Sequence, residues 1–142
     1  MSEQYEMNQP EVRKKDLIYP ELSYQIVGCA FEAFKALGYG HLEKIYQKAM
    51  VVLFKERNIP YKEQVFVPFK FRDKIIDRKF LDFAVDEKII VELKKDFHFS
   101  KAHIDQVLGY LKYSKLKLAI LINFGKEGVT YKRIINETEK TV

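Results

Sequence analysis

The 142-residue chain holds a single cysteine, Cys29, no tryptophan and only three histidines. A lone cysteine excludes an internal disulfide and any multi-cysteine zinc site. His98 and His103 have neither the spacing of a helical ligand pair nor that of a zinc motif, so both read as ordinary polar residues. No apolar run approaches the roughly 18–20 residues of a membrane span. The polar start from Met1 to Lys15 lacks a signal peptide's apolar stretch. Gly38-Tyr39-Gly40 has neither the lysine nor the preceding strand of a phosphate-binding loop, and no Cys/His nucleophilic pair is supported. The expectation is a soluble cytoplasmic domain that does not engage a membrane.

What is present is enough for one core. Hydrophobic residues make up 47% of the chain, and a domain of this length buries roughly two-thirds of its unfolded surface without a staple. The formal net charge is +5. Residues 1–71 carry 10 basic and 9 acidic side chains, and residues 72–142 carry 15 and 11. This excess favours an anionic partner for the second half, and a solvated surface explains it nearly as well.

The periodicity divides the chain into a frayed arm over 1–16, one domain over 17–136 and a polar tail over 137–142. Pro20 suits a helix start, and Leu22, Ile26, Ala30, Ala33, Phe34 and Leu37 recur at helical steps up to the stop at Gly38. Cys29 sits within this helix as a small core residue. Leu42, Tyr46, Ala49, Met50, Leu53 and Phe54 form the stripe of a second helix, which ends before Asn58-Ile59-Pro60.

The period then changes to two. Glu63 to Phe71 alternates with Val65, Val67 and Phe69 on one face, and Pro68 implies an edge strand or a bulge. Asp77 to Val85 is a second strand, with Leu81, Phe83 and Val85 expected on one face. Asp86-Glu87-Lys88 turns it into a third, Ile89 to Lys95, which makes an antiparallel meander. Ser100 caps a helix to about Ser114, with Ile104, Val107, Leu108 and Leu111 apolar. Leu116 to Phe124 is a nearly continuous apolar run, expected to be buried on both faces at the centre of the sheet. Val129 to Ile135 is a last strand. The order is ααβββαββ, an α/β domain with a mixed central sheet flanked by helices.

The chemistry concentrates between Phe80 and Lys94. Glu92 and Lys94 share one face of the third strand, and Asp82 lies on the adjacent strand within cross-strand reach. Hard divalent cations take carboxylate oxygens, and a bound ion acidifies water and neutralises charge on a phosphate. A lysine two residues on can hold the attacking water or oppose that charge. The plainer alternative is a set of surface ion pairs on a half-exposed strand.

This Asp…Glu-x-Lys arrangement resembles the PD-(D/E)xK nuclease superfamily, whose core is restriction-endonuclease-like. Gly40-His41-Leu42-Glu43-Lys44-Ile45-Tyr46 is similar to the signature of a small prokaryotic group, the GxxExxY proteins. Tyr110-Leu111-Lys112 and Ile122-Asn123-Phe124-Gly125 also look like that group. The resemblance runs from about Leu22 to Ile135, with Leu81 standing where the motif has proline.

The resemblance implies Glu43, Asp82 and Glu92 as holders of Mg²⁺ or Mn²⁺, and Lys94 as the catalytic lysine. It implies that Gln106 supports the site, in a Gln-x-x-x-Tyr setting as in RecB-like nucleases, and that Tyr110 faces substrate, with Tyr46 and Lys95 as further substrate-binding candidates. A half-buried packing role is the commoner one for a tyrosine placed like Tyr46. Basic and aromatic residues interleave in Lys70-Phe71-Arg72, Arg78-Lys79-Phe80 and Lys94-Lys95-Asp96-Phe97, as in nucleic-acid channels and equally in strands with an apolar inner face. The expected activity is metal-dependent phosphodiester hydrolysis of DNA or RNA. The alternatives are a catalytically silent nuclease-fold module that binds nucleic acid or a protein, and a structure-specific nuclease that works as a homodimer.

Overall fold

Helix α1 (Pro20–Leu37) opens with its proline in the first turn, where the missing N–H is not needed, and closes at Gly38. The Gly38 φ of 79° lies in the left-handed region, and its N–H donates to the Phe34 carbonyl at 2.7 Å. Helix α2 (Glu43–Glu56) buries Tyr46, Met50, Leu53 and Phe54. Leu42, expected on that stripe, is 67% exposed because it is the extended N-cap residue and lies outside the helical turns. The computed structural model describes residues 18–96 and 98–136. The expected arm over 1–16, the tail over 137–142 and Phe97 lie outside them.

Five strands follow: β1 (Tyr61–Phe71), β2 (Lys74–Val85), β3 (Ile89–Lys95), β4 (Leu118–Gly125) and β5 (Gly128–Ile135). Helix α3 (Lys101–Ser114) lies between β3 and β4. The sheet order is β1-β2-β3-β4-β5. Its pairs are antiparallel except β3–β4, which is parallel and therefore needs the α3 crossover. This is a mixed α/β fold in the order ααβββαββ. Pro68 meets both of its expectations, since β1 is an edge strand and its register shifts between Phe69 and Lys70. Every residue of β4 is buried, as its nearly continuous apolar run leads one to expect. No helix among the described residues is long and apolar enough to cross a membrane.

The sheet separates two apolar layers. On one face α1 and α2 pack with Phe83, Val85, Val91, Leu93, Ile120 and Ile122. On the other, Val107, Tyr110 and Leu111 of α3 cover Val67, Leu81, Ile90 and Leu121. Leu108, expected in the α3 stripe, is 37% exposed. Ser100 caps α3 as expected, its side chain accepting the His103 N–H. Cys29 is buried as expected.

One expectation about faces is overturned. Leu81 does not share a face with Phe83 and Val85; it belongs to the α3 layer while they belong to the α1–α2 layer. Strict alternation fails because the β2–β3 ladder ends at Phe83↔Val91. Across β1, Gln64 adopts a left-handed φ of 49° and leaves the β1–β2 register. Asp82 sits where both ladders are interrupted, and the chain changes face there.

Candidate active site

The interruption at Asp82 exposes backbone donors that side chains then take up. The Asp82 N–H donates to Glu92 Oε2 at 2.8 Å, and the Leu93 N–H donates to Asp82 Oδ2 at 2.7 Å. The two carboxylates thus replace the ladder that their own strands have given up. Each binds the neighbouring strand's backbone with one oxygen, and a carboxylate has a second oxygen with further acceptor capacity. Glu43, in the first turn of α2, reaches the same end of β3, where its Oε2 accepts the Lys95 N–H at 3.2 Å. Lys95 Nζ donates to the Gly40 carbonyl at 3.3 Å, tying the loop before α2 to the strand.

Burial makes these acids unusual. Glu92 is 8% exposed, and its pKa is pushed up from 4.5 to about 8, first by burial and then by the charge of Asp82. The Asp82 N–H, Lys94 and Glu43 act on it more weakly, the first two favouring the charged form and Glu43 opposing it. Asp82 is also raised, chiefly by burial, while the Leu93 N–H, Lys94 and the Gln64 side chain draw it back. Tyr110 is pushed up to about 12 by burial and by the charges of Glu92, Asp77 and Asp82. A divalent cation would relieve this repulsion, so the donor set suits a hard ion. Among the described residues, however, no three His, Cys, Asp or Glu side chains stand close enough to form a ready-made cage. Asp82 and Glu92 form the bonded pair, and Glu43, the third acid expected from the sequence, lies within electrostatic reach of both. One or two carboxylates completed by water is an ordinary Mg²⁺ arrangement.

Other expected residues fare differently. Lys94 follows Glu92 by two positions on β3 and acts electrostatically on both acids and on His103. Gln106 is exposed, at the edge of the α3 stripe that His103 and Tyr110 also occupy. Tyr110 is 7% exposed, with its ring edge-on to Phe69 at 5.9 Å. Tyr46 is fully buried: its ring stacks on Phe124 at 4.1 Å, and its hydroxyl donates to the Gly38 carbonyl at 2.5 Å. It cannot touch a substrate; it pins the Gly38–Gly40 joint that aims Glu43.

Three neighbours escaped the sequence reading. Gln64 bonds Asp82 from β1. His103 lies within the field of Lys94, with its pKa lowered mainly by burial. Asn123 pairs with Lys94 in the β3–β4 register, is 7% exposed and borders a cleft of about 320 Å³ with Asp96, His98, Lys126 and Thr130. Asn123 had a signal, as the single polar residue within the apolar run of β4. Gln64 and His103 had none, since their relevance depends on which strands and helices become neighbours.

A family profile described as the PD-(D/E)XK nuclease superfamily matches residues 20–134, and the chain belongs to that superfamily. Among solved structures, the fold is similar to the alkaline exonuclease LHK-Exo from Laribacter hongkongensis. The TM-score is 0.52 at 10% identity, over 99% of this chain and 78% of that one. A second structure, SSO0001, aligns at a TM-score of 0.46 and 14% identity, over 95% and 77% of the two chains. No curated protein matches the sequence.

Proposed function

We propose that the chain is a divalent-metal-dependent nuclease that hydrolyses phosphodiester bonds of DNA or RNA in the cytoplasm. The observation that carries this reading is the reciprocal bonding of Asp82 and Glu92 to each other's strands, with Lys94 next along β3. Asp82 and Glu92, assisted by Glu43, would hold Mg²⁺ or Mn²⁺. Such an ion supplies an acidified water and neutralises charge that builds on the phosphate. Backbone N–H donors hold all three acids in place before substrate arrives, which favours pre-organised chemistry. Lys94 orients the attacking water or opposes the phosphate charge. Gln106 supports the site from α3, and Tyr110 backs it through packing. Lys95 lies at the substrate's approach. The Gly40-x-x-Glu43-x-x-Tyr46 stretch supports membership of the GxxExxY group, with its glycine–tyrosine frame serving to position Glu43.

The test is cleavage of linear, single-stranded and branched DNA and of RNA with Mg²⁺ and Mn²⁺, comparing wild type with Glu92→Ala and Lys94→Ala. Divalent-dependent cleavage lost in both variants, with circular dichroism unchanged, is the expected result. No cleavage of any substrate, together with no metal uptake by calorimetry, would overturn it in favour of a silent nuclease-fold module that binds nucleic acid or a protein. Sedimentation with branched DNA reports whether a homodimer forms.

A further inference from the structure

The β1–β2 hairpin projects an aromatic face that the helices leave uncovered. Phe66 and Phe80 are cross-strand partners with ring centroids 5.5 Å apart, yet they are 39% and 57% exposed. Helix α3 packs against the opposite face of this hairpin, over Val67 and Leu81. The Arg78 guanidinium stands over the Phe66 ring at 5.7 Å, and at the tip Arg72 stands over the 60% exposed Phe71 at 5.2 Å. From Phe66 to Phe80 the hairpin carries five basic side chains against two acidic ones. Exposed apolar area of this kind marks a binding surface, and here it is interleaved with positive charge.

We infer that this face is a stacking platform for a single-stranded stretch of nucleic acid. The inference rests on the nucleic-acid reading above and gives that reading a place and a substrate form. Ring faces flanked by guanidinium groups accept bases of any sequence, while the charge tracks the phosphates. A duplex hides its base faces within its own stack, so the platform selects unpaired bases. A second copy of the chain fits less well. A two-fold contact would set the basic side chains of one hairpin against those of the other. Pro68 and the register shift beside it also spoil strand pairing at this edge. Phe80 precedes Asp82 by two residues on β2, so the platform lies on the same strand that carries one acid of the pair. The span from Phe66 to Phe71 is about 17 Å at roughly 3.4 Å per residue, which holds about five nucleotides at stacked spacing.

The test is fluorescence anisotropy in EDTA, where cleavage does not interfere. It uses a labelled DNA strand of about 15 nucleotides, its abasic counterpart and its duplex. The strand should bind more tightly than either comparator. Phe66→Ala with Phe80→Ala should weaken it by at least about tenfold, and Arg78→Ala should lower the salt slope by about one. Phe80→Trp should retain binding and, as the sole tryptophan in the chain, lose emission when a base stacks on it. Equal affinity for the abasic strand, an unchanged double variant or no binding by wild type would overturn the proposal. So would a dimer in sedimentation that the double variant abolishes, which would assign the face to a second copy. Loss of the nuclease reading is read separately: binding that survives while Mg²⁺ and Mn²⁺ support no cleavage removes the activity and leaves the platform.

Discussion

Glu92→Gln removes one buried carboxylate and keeps an amide oxygen of the same reach for the Asp82 N–H. In the unfolded chain Glu92 ionises near 4.5, and in the fold near 8. Between those values the unfolded chain has released a proton that the folded chain retains, so ionisation favours unfolding. The cost is absent below about pH 4.5, grows as pH rises and is complete above about pH 8. The displacement sets a ceiling of roughly 5 kcal/mol, and sharing of the charge with Asp82 reduces the realised value to about 1–3 kcal/mol. Glu92→Gln should therefore melt about 3–10 °C above wild type at pH 8.5 without divalent ions, and the two should coincide near pH 5. Calorimetric or circular dichroism melts in EDTA at pH 5, 7 and 8.5 measure this directly. A variant less stable than wild type at pH 8.5, or a gap that does not change with pH, would refute the reasoning. Mg²⁺ should raise the wild-type melting temperature at pH 8.5 by linkage and leave Glu92→Gln nearly unmoved.

Tyr46→Phe keeps the stack on Phe124 and loses the bond to the Gly38 carbonyl, so it should cost about 1–2 kcal/mol in denaturant melts without raising the KM of a cleavage assay. A raised KM at unchanged stability would contradict its burial. Ser100→Ala removes the cap that accepts the His103 N–H and should cost about 1 kcal/mol; urea titration checks it. A Cβ at Gly125 would stand 3.0 Å from Asn123 Nδ2, so Gly125→Ala should displace that amide beside Lys94. It should lower kcat several-fold while stability changes by less than about 1–2 kcal/mol, as single-turnover cleavage and melts together would reveal.

Much of this architecture was legible in one dimension because its causes are local. The Pro20 start, the Gly38 stop and the Ser100 cap depend on neighbours within a turn. The periods of α2, α3 and β4 follow from side chains a few positions apart. Asp82, Glu92 and Lys94 could be singled out because strand alternation and a tight turn place them close together before any tertiary contact forms. Pro68 announced an edge or a bulge because it lacks an N–H, and β1 has both.

Tertiary structure decided the rest, because it depends on elements far apart in the chain. Alternation puts Leu81 and Phe83 on one face; the lost pairing at Asp82 and the left-handed Gln64 opposite it put them on two. Tyr46 carries a polar group that could equally meet substrate, and only Phe124, the Gly38 carbonyl and the packed α1–α2 layer bury it. Sequence determined which residues could bear the chemistry and in what order. Packing raised the pKa of Glu92, through burial and the charge of the neighbouring Asp82, and brought Asn123 and His103 to Lys94 from segments that lie beyond it in the chain.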